Sequence, residues 1–138
     1  MPDIAGIHHA SLTVADLDTS VRWYGDVLGM EEVLREAGEQ RHAVVLRFPG
    51  TEPVLGLVEH RGDGASPFDP TTIGLDHLAF TVGSRHGLEA LAEQLTARGV
   101  DHSGVTDIPP GAILNLKDPD GIALALFWDR PEPVADTA

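Results

Sequence analysis

The sequence predicts an α+β protein, two paired βαβββ modules whose curved sheets form a cup. The first observation behind this is a repeat: His9-Ala10-Ser11-Leu12-Thr13-Val14 recurs as His77-Leu78-Ala79-Phe80-Thr81-Val82, an offset of 77 − 9 = 68 positions. The second is that each copy runs from an alternating strand into a helical pattern and then into short strands. A fixed internal period of this kind signals two similar halves. The third is the Gly- and Pro-rich stretch between them, with Gly62, Gly64, Pro67 and Pro70, which reads as a connector.

The elements follow in order. Ile7 to Val14 alternates as a strand does. Asp16 or Asp18 can cap a helix running to about Leu28, where Gly29 supplies a stop. Val21, Tyr24 and Val27/Leu28 give that helix an apolar face. Strands are expected over Glu31–Ala37, Arg41–Arg47 and Val54–His60, with Pro49-Gly50 as a turn. The second half repeats the plan with a strand from Leu75 to Val82 and a helix from about Ser84 to Arg98, buried through Leu88, Leu91 and Leu95. Strands near His102–Thr106, Ala112–Leu116 and Ile122–Trp128 complete it, with Asp118-Pro119-Asp120-Gly121 as a tight hairpin turn. One domain over residues 1–138 therefore divides into a module at about 7–60, a connector at 61–73, a module at 74–128 and a frayed tail at 129–138.

Composition narrows the function classes. The apolar fraction of 42% suits a globular core. With no cysteine there is no disulfide, no thiolate nucleophile and no cysteine-ligated metal. A net charge of −13, with nine scattered Lys and Arg residues, argues against nucleic acid as a partner. No signal-like or membrane-length apolar run is present, so a membrane partner is not expected and the expected location is the cytoplasm.

Strand parity sorts the side chains. Leu12, Val14, Phe80 and Val82 should pack under the helices, while His9, Ser11 and Thr13, with His77, Ala79 and Thr81, point to the opposite, concave face. A concave, partly polar face is where a ligand site belongs. His8, one position out of phase, should face outward. His42, His86 and His102 read as solvated.

The motif Ile7-His8-His9-Ala10-Ser11-Leu12-Thr13-Val14-Ala15-Asp16-Leu17-Asp18, followed by Ser20, Trp23-Tyr24 and Val27-Leu28-Gly29, resembles the vicinal oxygen chelate superfamily. Gly74-Leu75-Asp76-His77-Leu78-Ala79-Phe80 and Asp118-Pro119-Asp120-Gly121 fit its second module. That group includes glyoxalase I, bleomycin-resistance proteins, fosfomycin-resistance enzymes, methylmalonyl-CoA epimerase and extradiol dioxygenases. The resemblance implies the glyoxalase/bleomycin resistance/dioxygenase-like fold and, in catalytic members, a divalent metal held by two histidines and two carboxylates or a glutamine. Carried over, the histidines fall on His9 and His77. The carboxylate positions fall on Gly56 and Ala125, and both acids are gone.

Two neutral imidazoles alone leave a divalent charge poorly compensated. No metal cofactor is therefore expected, with zinc, iron, manganese or nickel on His9 and His77 as the alternative. His60 shares the parity of Gly56 and Val58 and is a candidate third ligand, although it lies about 13 Å farther along its strand. Phe127 shares the parity of Ala125 and can form an apolar wall. Arg47 can bind a ligand carboxylate bidentately or form a surface ion pair.

The leading expectation is a homodimer that binds a small organic ligand in the cup, as bleomycin-resistance proteins do, without a full metal site. Its expected pocket comprises His9, Ser11, Thr13, Arg47, Gly56, Val58, His60, His77, Ala79, Thr81, Ala125 and Phe127. The alternatives are a metal-dependent lyase, isomerase or dioxygenase, and a non-catalytic interaction subunit with a vestigial pocket.

Overall fold

A computed structural model describes residues 3–62 and 66–132. Gly64 of the expected connector, and the expected tail beyond Glu132, lie outside the described residues. The chain forms two compact units, Met1–Pro67 with Asp118–Asp120, and Phe68–Lys117 with Gly121–Ala138.

The first unit comprises β1 (Ala10–Thr13), α1 (Leu17–Leu28), β2 (Glu31–Ala37), β3 (Arg41–Arg47) and β4 (Leu55–His60). Its sheet has the order β1-β4-β3-β2, with β1 parallel to β4 and the other pairs antiparallel. Asp16 caps helix α1: its backbone is extended and its carboxylate accepts the Thr19 N–H at 2.9 Å. It stops at Gly29, which takes the left-handed conformation at φ 75° that a side chain disfavours.

The buried stripe of α1 is Leu17, Ser20 and Tyr24. It shares Tyr24 with the stripe expected from hydropathy, of which Val21, Val27 and Leu28 are half-buried, and the helix packs on β3 and β4. Leu12, Val44, Leu46, Leu55 and Leu57 complete that core. Each such buried aliphatic side chain contributes about 2 kcal/mol relative to exposure.

The second unit repeats the wiring with β5 (Leu78–Thr81), α2 (Arg85–Ala97), β6 (Thr106–Ile108), β7 (Gly111–Lys117) and β8 (Ala123–Asp129). The order is β5-β8-β7-β6, again with one parallel pair, β5 and β8. Ser84 caps α2 by accepting the Gly87 N–H at 2.9 Å. Leu88 and Leu95 are buried beside Leu114, Leu116, Leu124 and Leu126, while Leu91 is half-buried.

The largest departures from the expected boundaries fall in three strands, the others differing by one residue. The opening strands begin at Ala10 and Leu78, three residues later than Ile7 and Leu75, where the parallel pairing with Leu55 and Leu124 begins. Ala10 N–H donates to Val54 O at 3.1 Å, whereas Ile7 stands 94% exposed. The strand expected near His102–Thr106 is displaced to Thr106–Ile108. His102 keeps one isolated bridge to Leu116, and Gly104 at φ 76° breaks the ladder.

Candidate functional site

The sheet face of the first unit turned away from α1 is assembled by register. Ser11 stands beside Gly56 and Gly56 beside Val45, Thr13 and Ala43 flank Val58, and Arg41 lies beside His60. A cavity of about 200 Å³ opens on this face. Ala43, Val45, Gly56 and Val58 supply an apolar floor, and His8, His9, Ser11, Glu36 and Arg41 supply polar groups. Of the residues expected here, His9, Ser11, Gly56 and Val58 line the cavity. Thr13, His60 and Arg47 share its face without lining it. Arg47 Nε donates instead to Glu31 Oε1 at 2.7 Å.

His8 corrects the parity argument. It lines the same cavity as His9, and their Nδ1 atoms approach to 2.8 Å with the rings nearly perpendicular. Parity fails because β1 begins only at Ala10, so both histidines precede the pleat. When both rings are neutral, one must donate through Nδ1–H and the other accept. Their Nε2 atoms then differ in kind, one a bare acceptor and the other an N–H donor. Glu36 and Arg41 were also missed, although counting alternate positions outward from Val45 along β3 and across to β2 reaches both.

Gly56 has a steric reason to be glycine. A Cβ there would sit 2.4 Å from Ser11 Oγ, so the hydroxyl fills the space a side chain at 56 would need. Glu59 points to the opposite face, where its carboxylate accepts the Leu17 N–H at 3.0 Å.

In the second unit Ala79 stands beside Ala125 and Thr81 beside Phe127. Ala79 and Thr81 are exposed, Ala125 is buried and Phe127 half-buried. Asn115 is the cross-strand neighbour of Ala125 and shares its side of the sheet. His77 precedes β5, and its Nδ1 lies 2.7 Å from Asp76 Oδ1 with both groups exposed. His102 is not solvated as expected. It is half-buried, accepts the Gly104 N–H at Nδ1 and therefore donates from Nε2 to Thr96 Oγ1 at 2.7 Å.

Two further groups bear on electrostatics. The Tyr24 hydroxyl donates to Asp118 Oδ2 at 2.8 Å, with both residues buried. Burial, and then the Asp118 charge, push that phenol far above the ordinary tyrosine range. A second cavity of about 360 Å³ is lined by Asp16, Asp18, Arg35, Glu36, His42 and Glu59. Three of its four acids are already engaged: Asp16 caps α1, Asp18 pairs with Arg35, and Glu59 takes the Leu17 N–H, while Glu36 lines the first cavity as well.

The donor set does not fit the metal that the resemblance implies. Gly56 and Ala125 offer no side-chain donor, and among the described residues no three His, Cys, Asp or Glu side chains converge. Among the described residues, too, no helix is long and apolar enough to cross a membrane.

Fold and residue pattern define a recognisable class. Residues 6–126 match the Glyoxalase/Bleomycin resistance protein/Dioxygenase superfamily, and the chain belongs to it. A glyoxylase/bleomycin resistance protein/dioxygenase domain from Frankia sp. EAN1pec superposes with a TM-score of 0.85 at 39% identity, covering 93% of this chain and 100% of that one. The catechol-2,3-dioxygenase of Bacillus subtilis (strain 168) is 30% identical over 91% of this chain and 42% of its own length. The manganese-dependent 2,3-dihydroxybiphenyl 1,2-dioxygenase of Geobacillus genomosp. 3 is 26% identical over 96% of this chain and 39% of its own. The chain thus spans about two fifths of the length of these curated relatives.

Proposed function

We propose that this superfamily member binds a small organic ligand on the apolar floor of the first unit's cavity, without a complete metal site. The observation that carries the reading is the pairing of Ser11 with Gly56. At the position where the resemblance implies a metal-binding acid, the chain has a glycine beneath a hydroxyl, which leaves an apolar surface rimmed by His8 and His9. Apolar floors with a few convergent polar groups are the usual setting for small ligands. The reading includes a homodimer, which light scattering on an eluting sample checks.

The test is a thermal-shift screen of small organic compounds against the protein and an Ala43→Phe variant that fills the cavity. Stabilisation by a compound set, lost in the variant, is the expected result. Stabilisation equal in both proteins overturns the reading.

The ring-cleaving relatives favour a second reading, a metal-dependent enzyme using His9 and His77. Metal content after incubation with zinc, iron(II), manganese or nickel decides it. About one metal per chain, abolished in a His9→Ala/His77→Ala variant, would put the second reading first.

A further inference from the structure

Two opposite charges face the first unit's cavity without meeting. Glu36 on β2 is the cross-strand neighbour of Ala43, and Arg41 precedes Ala43 by two residues on the same face of β3. Across from Arg41 lies Gly38, whose N–H donates to Arg41 O at 2.9 Å and which brings no side chain to that position. Glu36 and Arg41 are therefore diagonal neighbours on one surface. Both line the cavity, both are exposed, and neither forms an ion pair among the described residues. Elsewhere on the same two strands, Glu31 and Arg47 close on each other at 2.7 Å.

An open pair of opposite charges beside an apolar floor complements a molecule with the reverse arrangement. We infer that the ligand of this cavity is an amino-acid-like zwitterion with a compact apolar body, its carboxylate on Arg41 and its ammonium on Glu36. The inference rests on the ligand-binding reading above and specifies the ligand's chemistry. The guanidinium fork matches a carboxylate bidentately, and a carboxylate accepts well from an ammonium. A simple anion would face Glu36 and a chain of net charge −13. A simple cation would face Arg41. Only a ligand carrying both charges satisfies both groups, while Ala43, Val45 and Val58 receive its body.

The experiment is a two-dimensional NMR titration of the whole chain with four probes sharing one phenylethyl body: L-phenylalanine, 3-phenylpropionate, 2-phenylethylamine and 2-phenylethanol. L-phenylalanine is expected to bind about tenfold more tightly than any of the others, the scale of one added charge-assisted hydrogen bond. Glu36→Gln and Arg41→Gln, both surface changes, should each erase about that factor for L-phenylalanine while leaving 2-phenylethanol unaffected. Equal binding of all four probes, or binding of L-phenylalanine indifferent to both substitutions, overturns the zwitterion and leaves the ligand cavity standing. Absence of binding by every probe also overturns it. The broader reading then falls only if its own compound screen fails as well.

Discussion

In the first unit Ser11, Gly56 and Val45 stand in a row across β1, β4 and β3, whereas the matching row of the second unit is Ala79, Ala125 and Asn115. The helix sides of the two sheets, by contrast, are nearly interchangeable: Leu12, Val44, Leu46 and Leu57 in one, Leu114, Leu116, Leu124 and Leu126 in the other. The rims differ as well. β2 runs seven residues and carries Glu36 to the cavity, while β6 is only three residues long. Packing against a helix constrains both copies alike, so the buried faces keep one pattern. The opposite faces owe nothing to that packing and have diverged, and the unpaired charges of the inferred site belong to the first unit.

The sharpest way to break this comparison is to add one methyl group to a glycine in each sheet. At Gly111 of β7 a Cβ would lie 1.8 Å from Trp128 O. That neighbour is backbone and cannot rotate away, so Gly111→Ala should cost about 3 kcal/mol or more. At Gly56 the obstructing atom is a hydroxyl on a rotatable side chain. Gly56→Ala should cost about 1 kcal/mol, and adding Ser11→Ala should recover most of it. Denaturant midpoints of the three variants check the order, and equal costs at both glycines would contradict the steric argument.

Tyr24 provides the next effect, because the second helix buries Leu88 and Leu95 and engages no phenol in this way. Tyr24→Phe removes the hydrogen bond to Asp118 and should cost about 1–3 kcal/mol. The sign with pH follows from the raised folded-state pKa. The contribution is intact below the unfolded value, near pH ~10, and declines as pH rises beyond it, because the unfolded chain ionises first. Tyr24 is the only tyrosine, so ultraviolet difference spectra report it alone. Tyrosinate should emerge together with unfolding, and its emergence in a still-folded protein would contradict the burial argument.

How much of this was legible in the sequence depends on what each residue answers to. The repeat at 68 positions and the alternation of Leu12, Val14, Phe80 and Val82 reflect local geometry, so both modules and the limits of β2 and β3 could be read directly. The resemblance placed His9, His77, Gly56 and Ala125, and the register then set Ser11 against Gly56 and Ala79 against Ala125. What escaped depends on pairing. His8 was misplaced because parity was extended past the first residue of the ladder. Arg41 was within reach of parity counting from Val45 along β3, whereas Glu36 joins it only once β2 and β3 are in register. The engagement of Arg47 by Glu31 is likewise a long-range outcome that no window of sequence contains.

The smallest expected effect separates the two helix caps. Asp16 and Ser84 hold the same geometry, each accepting an N–H three residues on, but only one of them titrates. The hydrogen bond from the Thr19 N–H holds the Asp16 carboxyl below the usual carboxylate range. A lowered folded-state pKa means that this contribution is complete above the unfolded value, about pH 4, and is lost as pH falls through the folded one. The Ser84 hydroxyl accepts equally well throughout. Hydrogen-exchange protection of the Thr19 amide should therefore fall only as pH drops below about 4, while that of Gly87 holds. Ser84→Ala should cost about 1 kcal/mol at either pH. Parallel loss of protection at both amides would instead mean that acid opens the two units together, and the caps would then not act independently.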